Sequence, residues 1–145
     1  MATTTEVPKP KLVMGAGKHV MYVDDDQALV FLVERALTRK GFVVSTFTDP
    51  RRAIAALRDQ AVPCDLLVTD YNMPGYSGIE LLHDVRSLRP DLPVALASGY
   101  VTAEIEASAL AEGARALIHK PNDVAELCET VQRLIQDQQA AQGRA

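Results

Sequence analysis

Hydrophobic and polar positions along this chain switch regularly between two periods. HVMYV (19–23), FVVSTF (42–47), DLLVTD (65–70), PVALAS (93–98) and ALIH (116–119) are short, largely apolar runs and predict strands. The stretches between them repeat apolar residues every three or four positions and predict helices. The first carries Ala28, Leu29, Leu32, Ala36 and Leu37 on one stripe and ends at Gly41 as a C-terminal cap. Asp49-Pro50 opens the second, with Pro at a tolerated first-turn position. Ser77 and Glu80 form a capping box for the third, whose inner side is Ile79, Leu82 and Val85. Thr102 caps a fourth running to Gly113. Asn122 or Asp123 opens a fifth, with Val124, Leu127, Val131 and Leu134 at helical spacing.

Strands apolar on both faces, each followed by a helix, imply the α/β class: a doubly wound, five-stranded parallel sheet in a three-layer sandwich. Residues 19–136 form this domain, residues 1–18 read as a flexible leader or interdomain linker, and 137–145 as a C-terminal tail. In such sheets ligands bind outside the carboxyl ends of the strands, where the strand order reverses.

Composition narrows the function classes. A net charge of -4 and a pI near 5.3 give no basic footprint for nucleic acid. No apolar run approaches a membrane span, and the first residues lack the apolar stretch of a secretory signal. Cys64 and Cys128 are too far apart for a zinc motif or a disulfide framework, so a reducing, cytoplasmic setting is the default. His19, His83 and His119 show no ligand spacing and read as surface or edge residues. GAGK at 15–18 lacks the glycine spacing and the following Ser or Thr of a phosphate loop.

The strand ends carry the candidate chemistry. The first strand ends in Asp24-Asp25, the third in Asp70, the fourth in Ser98 and the fifth in Lys120. Each alone has a bland reading: an Asp capping a helix, a Ser capping a turn, a solvated Lys. Together they place three carboxylates, a hydroxyl and an ammonium on one rim. Two like charges about 4 Å apart repel by ~1 kcal/mol in water and ~4 kcal/mol at an effective dielectric near 20. A hard divalent cation relieves that repulsion, and Mg²⁺ takes one or two carboxylates while keeping waters and phosphate oxygens. Such a site, with Lys120 opposite, suits a phosphoryl group arriving on Asp70 as nucleophile. The turn at Met73-Pro74-Gly75 keeps the next loop clear of the attacking oxygen, and the Asn72 backbone is placed to lend a carbonyl to the metal.

VDDD (23–26), DYNMPGYSG (70–78), SG (98–99) and KP (120–121) together resemble the receiver domain of bacterial two-component signalling, over roughly residues 18–136. The resemblance implies a flavodoxin-like (βα)₅ fold and a phosphoprotein that catalyses its own phosphorylation and dephosphorylation. By it, Asp70 accepts the phosphoryl group from a phosphohistidine, on a histidine kinase or a histidine phosphotransfer domain. Asp25, Asp70 and the Asn72 carbonyl bind Mg²⁺ directly, and Asp24 helps through water. Ser98 and Lys120 each contact a phosphoryl oxygen, Pro121 follows a cis bond that aims Lys120, and Gly78 ends the loop before the third helix.

Two positions depart from the family pattern. Leu117 stands where an inward-turning aromatic switch is common. Gly99 replaces a more usual Ala and loosens its loop, and Tyr100 after it is a candidate shield of the phosphoryl group from water. The face of the fourth helix, fifth strand and fifth helix is implied as the output surface, with Glu104, Ser108, Leu117, His119 and Glu126 as candidates. The SGY and KPN triplets and the leader are similar to receivers appended to hybrid sensor histidine kinases; a stand-alone regulator is the alternative. Among rivals, a haloacid-dehalogenase-like phosphatase needs a general-acid Asp where Asn72 stands. A flavodoxin-type cofactor binder would meet three repelling carboxylates in its first loop. A docking module without chemistry is opposed by the complete set of five site residues.

Overall fold

The computed structural model describes residues 17–59, 63–120 and 124–144, with side chains to residue 138. Five strands alternate with five helices: β1 (His19–Val23), α1 (Gln27–Arg39), β2 (Val43–Phe47), α2 (Pro50–Arg58), β3 (Leu66–Asp70), α3 (Gly78–Leu88), β4 (Val94–Ser98), α4 (Ala103–Ala111), β5 (Ala116–His119) and α5 (Val124–Arg144). All strand pairs are parallel, in the order β2-β1-β3-β4-β5. The reversal of strand order falls between β1 and β3, so the rim above those two strands is the expected ligand site.

Two apolar layers sandwich the sheet. Val20 and Tyr22 of β1, Leu66 and Val68 of β3, and Ile118 of β5 pack with Val33, Leu37, Leu127 and Val131 of α1 and α5. Met21, Leu67, Val94 and Leu96 face the opposite way, onto Ile54, Leu57, Leu81, Leu82 and Val85 of α2 and α3, with Ala109 of α4. Cys64 lies in this second layer and Cys128 in the first, both buried.

The helix boundaries follow their caps. Asp26, Asp49, Ser77 and Thr102 each accept an N–H from the first turn of the following helix, and the Ser77–Glu80 capping box is complete. The buried stripe of α1, however, is not the one its pattern predicts. Val30, Val33 and Leu37 point inward, Leu29 and Ala36 are half-buried, and Ala28 and Leu32 face solvent. The cause is the continuous apolar run Ala28–Val33, which covers every side of a helix and leaves its period ambiguous. α5 also continues through the stretch assigned to the tail, as far as Arg144, through Gln- and Ala-rich sequence that favours helix. Most of the leader, and the Asn122 or Asp123 start of α5, lie outside the described residues. Gly17 and Lys18 are tied to the sheet: Gly17 N–H donates to Gly41 O, and Val43 N–H to Lys18 O. No described helix is long and apolar enough to cross a membrane.

Candidate phosphoacceptor site

Side chains two apart on a strand share a face, and that period assembles the site. One step beyond Tyr22 is Asp24; one step beyond Val68 is Asp70; one step beyond Ile118 is Lys120. All three therefore emerge on the α1/α5 side of the rim. Lys120 Nζ reaches Asp24 Oδ2 at 2.9 Å and Asp70 Oδ1 at 3.4 Å. Asp25 joins from the loop, and carboxylate oxygens of Asp24, Asp25 and Asp70 lie within 4.8 Å of one another. Ser98 continues the alternation of Val94 and Leu96 and arrives from the other face of the sheet. Lys120 N–H donates to Ser98 O at 2.7 Å, which fixes the two strand ends side by side.

Electrostatics bear out the crowding. Asp24 is fully buried; its Oδ1 accepts the Asp26 N–H and its Oδ2 accepts both Lys120 Nζ and the Tyr22 hydroxyl, all at 2.9 Å. Burial first, and then repulsion from Asp24, push the Asp70 carboxyl up to about 6, against the attraction of Lys120. Burial works against the Lys120 charge, but bonding and attraction from Asp24 and Asp70 outweigh it and hold the ammonium above its ordinary value. Burial, then the Asp24 charge and hydrogen bond, keep the Tyr22 phenol neutral far beyond its ordinary range. Three carboxylates against one ammonium leave the rim with excess negative charge, and the donors are all hard oxygens. That donor set fits Mg²⁺.

The loop after β3 is built around Asp70. Asn72 is exposed and its N–H donates to Asp70 Oδ1 at 3.4 Å. Gly75 turns the chain at φ +76°, a left-handed conformation suited to glycine. Gly78 lies against the Asp70 carbonyl: a Cβ there would collide with that oxygen and sit 2.9 Å from Tyr71 Cα. Its family position thus has a steric reason.

Ser98 is buried, and its hydroxyl both donates to Tyr100 O (2.9 Å) and accepts Tyr100 N–H (3.1 Å). Tyr100 itself is 70% exposed. Leu117 is half-buried against the α2/α3 layer and pairs in register with Leu96. Glu104, Ser108, His119 and Glu126 are exposed. Pro121 and its peptide bond lie outside the described residues. Tyr22 was missed in the sequence, although its i, i+2 spacing to Asp24 on one strand was the signal.

Known proteins place this geometry in a family. Residues 20–132 match the response regulator receiver domain, and the chain belongs to that family. It is 33% identical over 123 residues to the DNA-binding transcriptional regulator NtrC of Salmonella typhimurium, covering 85% of this chain and 26% of that protein. It is 34% identical to the probable transcriptional regulatory protein TcrX of Mycobacterium tuberculosis, covering 80% of this chain and 49% of the relative. The chain thus spans about a quarter of the NtrC relative and half of TcrX. Among solved structures, a CheY-like receiver from Methanospirillum hungatei superposes with a TM-score of 0.76 at 26% identity, covering 86% of this chain and 98% of that one. Chemotaxis protein CheY4 of Vibrio cholerae gives 0.72 at 29% identity, covering 81% and 98%. The fold is the flavodoxin-like, CheY-like (βα)₅ sandwich, and the domain is a two-component receiver.

Proposed function

We propose that Asp70 is the phosphoacceptor of this receiver and takes its phosphoryl group from a phosphohistidine. The observation that carries the reading is the Asp24–Asp25–Asp70 cluster with Lys120 bridging Asp24 and Asp70. In the transfer an Asp70 carboxylate oxygen bonds to phosphorus as the phosphorus–nitrogen bond of the donor breaks, and the imidazole leaves with the bonding pair. Asp25, Asp70 and the Asn72 carbonyl would hold Mg²⁺, with Asp24 acting through water. The ion supplies charge neutralisation at the phosphoryl oxygens. Lys120 exchanges a carboxylate for a phosphoryl oxygen. Ser98 gives up the Tyr100 carbonyl to donate to another, which shifts the loop that opens α4. Because Leu117 has no aromatic ring to turn, this loop carries the switch to the face of α4, β5 and α5.

The donor is a histidine kinase or histidine phosphotransfer domain, and the setting is the cytoplasm. The Ser98-Gly99-Tyr100 and Lys120-Pro121-Asn122 triplets favour a receiver attached to a hybrid sensor kinase. The likeness to NtrC favours instead the receiver of a transcriptional regulator. The net charge of -4 leaves any DNA contact to other parts of such a protein.

Incubation with Mg²⁺ and a small acyl phosphate, followed by intact-mass measurement, tests the chemistry. One added phosphoryl group is expected in the parent, none in Asp70→Asn and none with the metal chelated. Equal gain in Asp70→Asn would assign the chemistry to another residue.

A further inference from the structure

Phosphoryl transfer as set out above gives no role to the buried hydroxyl of Tyr22, one of the polar groups at the rim. Tyr22 is fully buried in β1, a strand flanked by β2 and β3, and lies opposite Thr46 and Val68. Its hydroxyl donates to Asp24 Oδ2 at 2.9 Å, the same oxygen that accepts Lys120 Nζ at 2.9 Å. Asp24 is itself fully buried, so bulk solvent does not cover this oxygen. A buried acceptor stripped of its donor is strongly disfavoured, the more so when charged.

We propose that Tyr22 is a positioning residue that keeps Asp24 Oδ2 covered and oriented when Lys120 leaves it for a phosphoryl oxygen, and so eases that exchange. The inference rests on the reading of Asp70 as phosphoacceptor and of Lys120 as its phosphoryl partner. Lys120 has a long, flexible stem; Tyr22 is locked in the core. One donor is built to move and the other to stay. Were Tyr22 only a core filler whose hydroxyl took the nearest acceptor, removing that hydroxyl would act alike with Lys120 present or absent.

Tyr22→Phe deletes the oxygen and keeps the ring. Two quantities decide the matter: the Mg²⁺ Kd by calorimetry, and the rate of phosphoryl gain from a small acyl phosphate at saturating Mg²⁺, by intact mass. The Kd should stay within about threefold of the parent, because Lys120 still covers Oδ2 in the resting protein, while the rate falls about tenfold, the scale of one hydrogen bond to a charged group. In a Lys120→Met background there is no ammonium to release, and the same substitution should change the rate by less than about twofold. An unchanged rate in Tyr22→Phe, or equal slowing in both backgrounds, overturns the inference and leaves the phosphoacceptor reading standing. A parent that binds Mg²⁺ but gains no phosphoryl mass, from acyl phosphate or from a phosphohistidine donor, overturns that reading and this inference with it.

Discussion

The loops that leave β3 and β4 start from adjacent strand ends and are built in opposite ways. After β3, Tyr71 N–H donates to Ala97 O, Gly78 N–H to Tyr71 O, and Met73 is buried beneath the turn. The capping box then feeds α3, which buries Leu81, Leu82 and Val85. After β4, Gly99 has open space where a Cβ would be, Tyr100 stands in solvent, and α4 buries only Ala109. The far end of α4 is held by exposed contacts, His83 Nε2 to Glu112 Oε1 at 2.5 Å and Arg86 to Glu112 O at 3.0 Å. Apolar burial dominates local stability, so the first loop is a fixed mount and the second opens at far lower free energy. The proposed nucleophile, Asp70, sits on the rigid half, and the proposed response falls to the half that is easier to move.

The two glycines sharpen this contrast most. Gly78→Ala should destabilise the fold by about 3 kcal/mol in denaturant unfolding, because backbone rather than a flexible side chain stands in the way. A loss under about 0.5 kcal/mol, the scale of a neutral surface change, would mean that the β3 loop yields as readily as its neighbour.

A second test removes the charge from the rigid mount. The Asp70 carboxyl rises from an ordinary value near 4 to about 6 on folding, so the folded protein binds that proton more tightly than the unfolded chain. The resulting penalty is absent below about pH 4, grows as pH rises towards 6, and is complete above it. Asp70→Asn should therefore exceed the parent in stability by about 2 kcal/mol at pH 7 without metal, and match it near pH 4. Mg²⁺ at a hundredfold over its Kd should close the gap, contributing about 2.7 kcal/mol to the parent.

The smallest effect is expected on the mobile side. Gly99→Ala meets nothing within 4 Å and requires no left-handed backbone, so it should stabilise by about 0.5 kcal/mol through the unfolded chain. Thermal unfolding beside Gly78→Ala gives the comparison directly, and a loss at Gly99 would show that its loop is not free.

Much of this was legible in the sequence. Nine of the ten elements lie within a few residues of their predicted bounds, with Asp49, Ser77 and Thr102 as caps with a mechanism, whereas α5 runs on to Arg144 through the stretch assigned to the tail. Asp24, Asp70 and Lys120 could be brought together because doubly wound sheets gather strand ends on one rim. The facing of α1 was not legible, since an unbroken apolar run carries no phase. The partnership of Tyr22 had one signal, the i, i+2 spacing to Asp24, but an aromatic in a buried strand ordinarily reads as core, and only the position of Asp24 beyond the strand end gives its hydroxyl a purpose. That Ser98 rests on the Tyr100 backbone depends on loop geometry that no residue pattern encodes.

The separation of Cys64 and Cys128 by the sheet has a practical consequence. Neither thiol can reach the other without dismantling the sandwich, and burial pushes the Cys64 thiol up to about 11, where little reactive thiolate exists at neutral pH. Each layer therefore contains its own native chemical tag. A thiol reagent that consumes one before the other reports which side of the sheet breathes first, with no label added to the chain.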